Sequence, residues 1–124
     1  MVFDEDGRVL LVRHTYGPDA WHFPGGGVKR RERLDEAVRR ELREEAGIDA
    51  VDVELWHVFT NLQEGKSDHI VLFAVRQWRS LVSASPEIAA KGFFAIDDLP
   101  ATASDGTRRR LDDWGAGSST SFVW

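Results

Sequence analysis

The sequence predicts an α/β fold, and three observations carry that prediction. One segment has the apolar spacing of an amphipathic helix, short β-branched and aromatic runs lie on both sides of it, and the chain is long enough for one core only. With 124 residues, 42% apolar and 30% charged, residues 1–124 read as a single domain whose last stretch, 115–124, is small and polar enough to be a loose tail.

Residues 1–13 read as two extended pieces, Val2-Phe3 and 8–13, around the turn Asp4-Glu5-Asp6-Gly7. A polar loop with Tyr16 follows, then a brief strand Trp21-His22-Phe23 that Pro24 ends because proline has no N–H to give to a ladder. Gly25-Gly26-Gly27 come next, and their backbone can approach a ligand closely. From 33 to 46 the period becomes helical: Leu34, Val38, Leu42 and Ala46 form one stripe with Ala37 beside it, and Gly47 is the expected C-cap. Beyond it the sequence predicts a strand over 51–60, a loop over 61–68, a strand over 69–78, a loop over 83–91 and a short strand over 93–96. A terminal helix over 107–114 has Thr107 or Asp105 near its start.

The charge balance excludes several functions. A net charge of −5 disfavours non-specific binding to nucleic-acid polymers or anionic membranes, so an anionic substrate needs a local device to hold it. Without cysteine there is no disulfide, thiolate zinc site or Cys nucleophile, which fits a cytoplasmic protein. The longest apolar run, 70–75, is far below the ~20 residues that cross a bilayer.

The helix carries the chemistry. Glu41, Glu44 and Glu45 stand at i, i+3 and i+4, where each like-charge pair costs about 0.2–0.5 kcal/mol. Glu44 and Glu45 also fall in the last turn, where the dipole disfavours anions by about 0.3–1 kcal/mol each. On an α-helical wheel Glu41 and Glu45 border the apolar stripe, while Arg39 and Arg43 point to solvent. A lone pair of glutamates is ordinarily a solvated face. Three of them beside a glycine run instead suit a hard cation, Mg²⁺ or Mn²⁺, that shares its shell with a diphosphate.

The segment from Gly26 through Glu32 to Arg40-Glu41-Leu42-Arg43-Glu44-Glu45-Ala46-Gly47-Ile48 resembles the Nudix box at every fixed position. The runs 7–12, 21–27 and 93–100 resemble family segments in family order. The resemblance implies an α/β/α sandwich with a mixed sheet, a metal-binding loop-helix-loop, and hydrolysis of a nucleoside diphosphate linked to another moiety. It also implies that Glu41, Glu44, Glu45 and the Gly26 carbonyl hold Mg²⁺ (or Mn²⁺), that Arg40 orients the acids, and that Glu32 is the structural partner of Arg40. Compared with the family pattern the first strand is short, and Arg31 stands where glycine often precedes the first box glutamate. The latter gives a basic collar, Lys29-Arg30-Arg31-Arg33, that either binds phosphate or offsets nearby acids.

Outside the box, Glu87 is a candidate for a further catalytic carboxylate, with surface charge as the plain reading. Tyr16 is a candidate base contact beside the Gly25, Gly26 and Gly27 backbone, while Trp21 and Phe23 are expected in the core and His57 and His69 as sheet histidines. Two rival readings remain. A catalytically silent nucleotide-metabolite binding module has no need of all three carboxylates, and a family isomerase acting on isoprenoid diphosphates depends on a cysteine this chain lacks. A small nucleotide-type substrate is the expected partner, and homodimerisation stays open.

Overall fold

The structure is a computed structural model that describes residues 1–65, 68–82 and 85–124. In chain order the elements are β1 (Val9–His14), β2 (Trp21–His22), α1 (Leu34–Glu41), β3 (Ile48–Ala50), β4 (Glu54–Asn61), β5 (Asp68–Ala74), β6 (Trp78–Ser80), β7 (Ile88–Phe94) and α2 (Asp105–Gly115). α1 runs directly into a π-helical turn, Leu42–Ala46. Three antiparallel sheets form: β2-β1-β7, β4-β5 and β3-β6.

The short first piece joins the ladders. Val2 bridges Val75 in parallel and Phe3 bridges Val9 antiparallel, with Leu10 N–H donating to Val2 O and Phe3 N–H to Val75 O. Residues 1–3 therefore lie between β1 and the end of β5, and the arrangement is mixed. Alternation along β1 then sorts two cores. Val9 and Leu11 pack with Phe59, Leu72 and Leu111 on the α2 side, whereas Leu10 packs with Leu42, Ala46, Ile48 and Val75 on the α1 side. The result is the expected α/β/α sandwich, with Trp21 and Phe23 against the first core.

Several boundaries differ from the sequence reading, and each difference has a long-range cause. The predicted strand over 51–60 starts at Glu54, because 48–50 pair with β6 and Val51 N–H donates to Gln77 O, so the chain changes partners between β3 and β4. For the same reason 69–78 divides into β5 and β6. The expected loop over 83–91 is strand from Ile88 onward, since β7 pairs along all of β1, from His14↔Ile88 to Val9↔Phe94. Residues 66–67 of the expected 61–68 loop and 83–84 of the expected 83–91 loop lie outside the described residues.

At the helices, Ser104 caps α2 by accepting from Thr107 N–H at 3.2 Å. Gly47 caps the box helix in the left-handed conformation, φ 64°. Leu34, the first member of the apolar stripe, is 46% exposed rather than buried. Arg39 does not point to solvent; it is half-buried and donates to Ala50 O. Where the sequence reads a tail, residues 122–124 return beside β4: Thr60 N–H donates to Phe122 O and Trp124 N–H to Thr60 O.

Candidate active site

The loop Gly25–Val28 and the helix α1 face each other, and one guanidinium organises the acids between them. Arg40 grips Glu32 through two contacts, Nε–Oε2 at 2.7 Å and Nη2–Oε1 at 2.9 Å. Its Nη1 donates to Glu41 Oε1 at 2.8 Å and to Glu44 Oε2 at 3.2 Å, and its Nη2 also donates to Gly27 O at 3.0 Å. A planar fork can serve so many oxygens in fixed directions, which a lysine cannot. These bonds to Arg40, with one from Lys29 N–H, hold the Glu32 carboxyl down at about 2. Glu32 and then Glu41 push Arg40 further above its ordinary value.

Gly26 is required by contact with Glu41. A Cβ at Gly26 would lie 2.5 Å from Glu41 Oε1, so a side chain there would displace the carboxylate. Gly25 N–H donates to Glu45 Oε1 at 2.7 Å. Two helix carboxylates thus converge on two consecutive glycines.

Glu45 is buried, and its second oxygen reveals two residues that sequence reasoning missed. His14 Nε2 lies 2.7 Å from Glu45 Oε2, His14 Nδ1 lies 2.7 Å from His22 Nε2, and His22 Nδ1–H donates to Phe23 O at 3.0 Å. The carbonyl can only accept, so His22 Nδ1 is the donor there, and the row of contacts ties Glu45 to β1 and β2. Lys91 on β7 was missed as well: its Nζ donates to Ala46 O at 2.7 Å, placing a cation at the negative end of the box helix. No local signal reveals either contact, because 31 and 45 residues separate the partners. The only hint is that penalised glutamates in a last turn need compensation from somewhere.

A cavity of about 620 Å³ opens beside this cluster, lined by Gly25, Gly26, Gly27, Glu41 and the apolar side chains Leu34, Val38 and Ile70, with His69 and Trp124 among its other walls. Leu34 is exposed because it faces this space. His69 belongs to the cavity, unlike His57, which bonds Ser121 O as a sheet histidine at 3.0 Å. Tyr16 is exposed and lies tilted against the His14 ring at 5.0 Å, outside the cavity lining. Glu87 is exposed; its carbonyl accepts from Thr15 N–H at 2.9 Å, which sets it beside the end of β1, and its side chain does not line the cavity. Glu44 is 54% exposed at its side chain and joins the cluster through Arg40.

Among the described residues, no three acidic or histidine side chains stand close enough to form a finished ion cage. The donor set still fits a hard divalent cation. It consists of oxygens from Glu41, Glu44, Glu45 and the loop carbonyls, and Glu41 Oε2 and Glu44 Oε1 carry no hydrogen bond among the described residues.

A sequence profile of the NUDIX domain matches residues 1–114. The chain belongs to the Nudix family. A protein named RNA pyrophosphohydrolase from Teredinibacter turnerae is 52% identical over 52 residues, 42% of this chain and 30% of that protein. An 8-oxo-dGTP diphosphatase from Buchnera aphidicola is 31% identical over 72 residues, 58% of each chain. The matched stretch thus spans only about a third of the first of these Nudix relatives and under two thirds of the second. Among solved structures, a MutT NUDIX hydrolase from Burkholderia pseudomallei superposes with a TM-score of 0.74 at 29% identity, covering 90% of this chain and 93% of that one. The NUDIX domain of Shewanella oneidensis NrtR, solved with ADP ribose, shares the fold at a TM-score of 0.73 and 17% identity, over 94% of this chain and 82% of that one.

Proposed function

We propose that this Nudix protein is a divalent-metal-dependent pyrophosphohydrolase that cleaves a phosphoanhydride bond in a nucleoside diphosphate linked to another moiety. The observation that carries the reading is the Arg40-centred carboxylate set, which faces the Gly25-Gly26-Gly27 backbone at the wall of a cavity large enough for a nucleotide. Relatives named for RNA and 8-oxo-dGTP substrates support the bond class and leave the base and leaving group open. Absence of cysteine fits the cytoplasm as the place of action. Among the described residues no helix is long and apolar enough to cross a membrane.

Glu41, Glu44, Glu45 and the Gly26 carbonyl would hold Mg²⁺, with Mn²⁺ as a substitute. A cation there supplies charge neutralisation of the diphosphate and a more acidic water. The chain's own residues do the rest. Arg40 fixes Glu41 through Oε1, Oε2 carries no hydrogen bond among the described residues, and Glu41 lines the cavity, so Glu41 is the group best placed to accept the proton of the water that attacks phosphorus. Gly25 N–H and His14 fix Glu45 from both sides. The apolar walls exclude bulk water from the nucleoside end.

The test is a screen of phosphate and pyrophosphate release with Mg²⁺ and Mn²⁺ over nucleoside triphosphates, ADP-ribose, nucleotide sugars, dinucleoside polyphosphates and a 5′-triphosphorylated RNA. Metal-dependent turnover of at least one class is expected. Tight binding of a nucleotide without turnover of any class would overturn the reading in favour of a binding module.

A further inference from the structure

Immediately after the cavity-lining Val28, the chain makes a tight turn, Lys29-Arg30-Arg31-Glu32, closed by Glu32 N–H donating to Lys29 O at 3.1 Å. Arg31, the third residue of that turn, has φ 61°. This is the pattern of a type II turn, whose third position takes glycine because a side chain is disfavoured there. Among the described residues Arg31 is the sole non-glycine with positive φ. A strained position normally goes to the residue that relieves the strain, and here it is held by a long cation.

The turn is also pinned, and the charge of its two guanidinium groups is unpaired among the described residues, whereas Lys29 helps to lower the Glu32 carboxyl through its charge. Glu32 is clamped by Arg40 and accepts Lys29 N–H at 3.0 Å, which ties the turn to the box helix. The side chains of Lys29, Arg30 and Arg31 are exposed and form no ion pair or hydrogen bond among the described residues. Arg33, by contrast, is paired with Asp35 and Glu36. If the collar served to offset nearby acids, its guanidinium groups should contact Glu32, Glu41 or Glu44. Arg40 makes those contacts instead.

We propose that the Lys29–Arg31 turn is an anion-binding prong that takes substrate phosphates lying beyond the diphosphate to be hydrolysed, so that the protein favours substrates with an extended phosphate chain. This rests on the pyrophosphohydrolase reading for the place of the diphosphate. It revises the expectation from the net charge of −5 that no polymer of phosphates is bound, because a local cluster of three cations acts at a range where the bulk charge is screened. Such phosphates have two sources: the phosphodiester backbone of an oligonucleotide, or the bridge of a dinucleoside polyphosphate.

The experiment measures binding in EDTA, so that it does not depend on turnover. Fluorescence anisotropy follows a 3′-labelled, 5′-triphosphorylated RNA of eight nucleotides against the wild type and the double variant Arg30→Ser/Arg31→Gly. A nucleoside triphosphate and a dinucleoside tetraphosphate serve as unlabelled competitors. The variant should bind the RNA about a hundredfold more weakly, about tenfold for each of two lost charge-assisted contacts. Its slope of log affinity against log salt should be shallower by about 1.4, at about 0.7 per single-strand contact. If the RNA does not bind, a dinucleoside tetraphosphate titrated directly by calorimetry and bound more weakly by the double variant assigns the prong to the polyphosphate bridge, and failure of both ligands to bind overturns the proposal. Arg31→Gly alone should keep or raise Tm, because it relieves the turn, while weakening the same ligand. Equal affinities and salt slopes for wild type and double variant would overturn the proposal, as would a fall in Tm of Arg31→Gly that accounts for the lost binding. A wild type that binds as expected but hydrolyses nothing would sink the pyrophosphohydrolase reading and leave the prong standing.

Discussion

At the scale of single residues, partners distant in the chain hold the box carboxylates. From local spacing, Glu45 is an unstable group at the wrong end of a helix; in the fold it is buried and bonded at both oxygens. Removing His14 leaves Glu45 Oε2 buried without its partner, a loss of about 1–3 kcal/mol. His14→Ala is therefore expected to lower stability by that amount in denaturant melts and to weaken Mn²⁺ binding in a calorimetric titration, with His14→Gln, which keeps a donor, recovering much of both. Unchanged Mn²⁺ affinity in the alanine variant would remove His14 from the support of the site. Glu87 makes the opposite case. It is exposed and outside the cavity lining, so Glu87→Gln tests a lesser role: as a further catalytic carboxylate it should lower kcat more than it raises KM, and wild-type kinetics would leave the chemistry to the box. The box residues themselves are legible because their spacing is local. His14, His22 and Lys91 are not, because only the assembled sheet brings β1, β2 and β7 to the helix.

At the scale of elements, the loop-helix unit is held by Glu32 and Arg40. In the folded chain the Glu32 carboxyl sits at about 2 against an ordinary 4.5. The stability it contributes is complete above pH 4.5 and is lost as pH falls through that value toward 2. Acid melts of wild type and Glu32→Gln should therefore converge across that window, and a constant gap down to pH 2 would show that the pair does not titrate as the geometry requires. The helix and its Gly47 cap are readable from the sequence because apolar period and cap are local signals. Its π-helical last turn is not, since the 3.6 period assumed for the wheel carries no trace of it. Strand limits fail for a related reason: Ala89-Ala90-Lys91-Gly92 has little strand propensity of its own, and the whole length of β1 imposes the extended form.

At the scale of the whole molecule, two cores on opposite faces of one mixed arrangement hold α1 and the glycine loop against each other, so the acid cluster is preassembled before ligand arrives. Any cation that binds only this folded arrangement must stabilise all of it. At a metal concentration a hundred times Kd the gain is about 2.7 kcal/mol, seen as a rise in Tm of several degrees with Mg²⁺ or Mn²⁺. Melting unaffected across millimolar metal would speak against the site. The proposed chemistry is a metal-dependent hydrolysis by the box carboxylates, with Glu41 as the proton acceptor. Its most direct measurement is the initial rate of phosphoanhydride cleavage in Mg²⁺ by wild type and by Glu41→Gln, on the best substrate of the screen and with both proteins folded by circular dichroism. The account predicts a loss in kcat of about 10²–10⁴, the contribution of a general base; an unchanged rate in Glu41→Gln would contradict it.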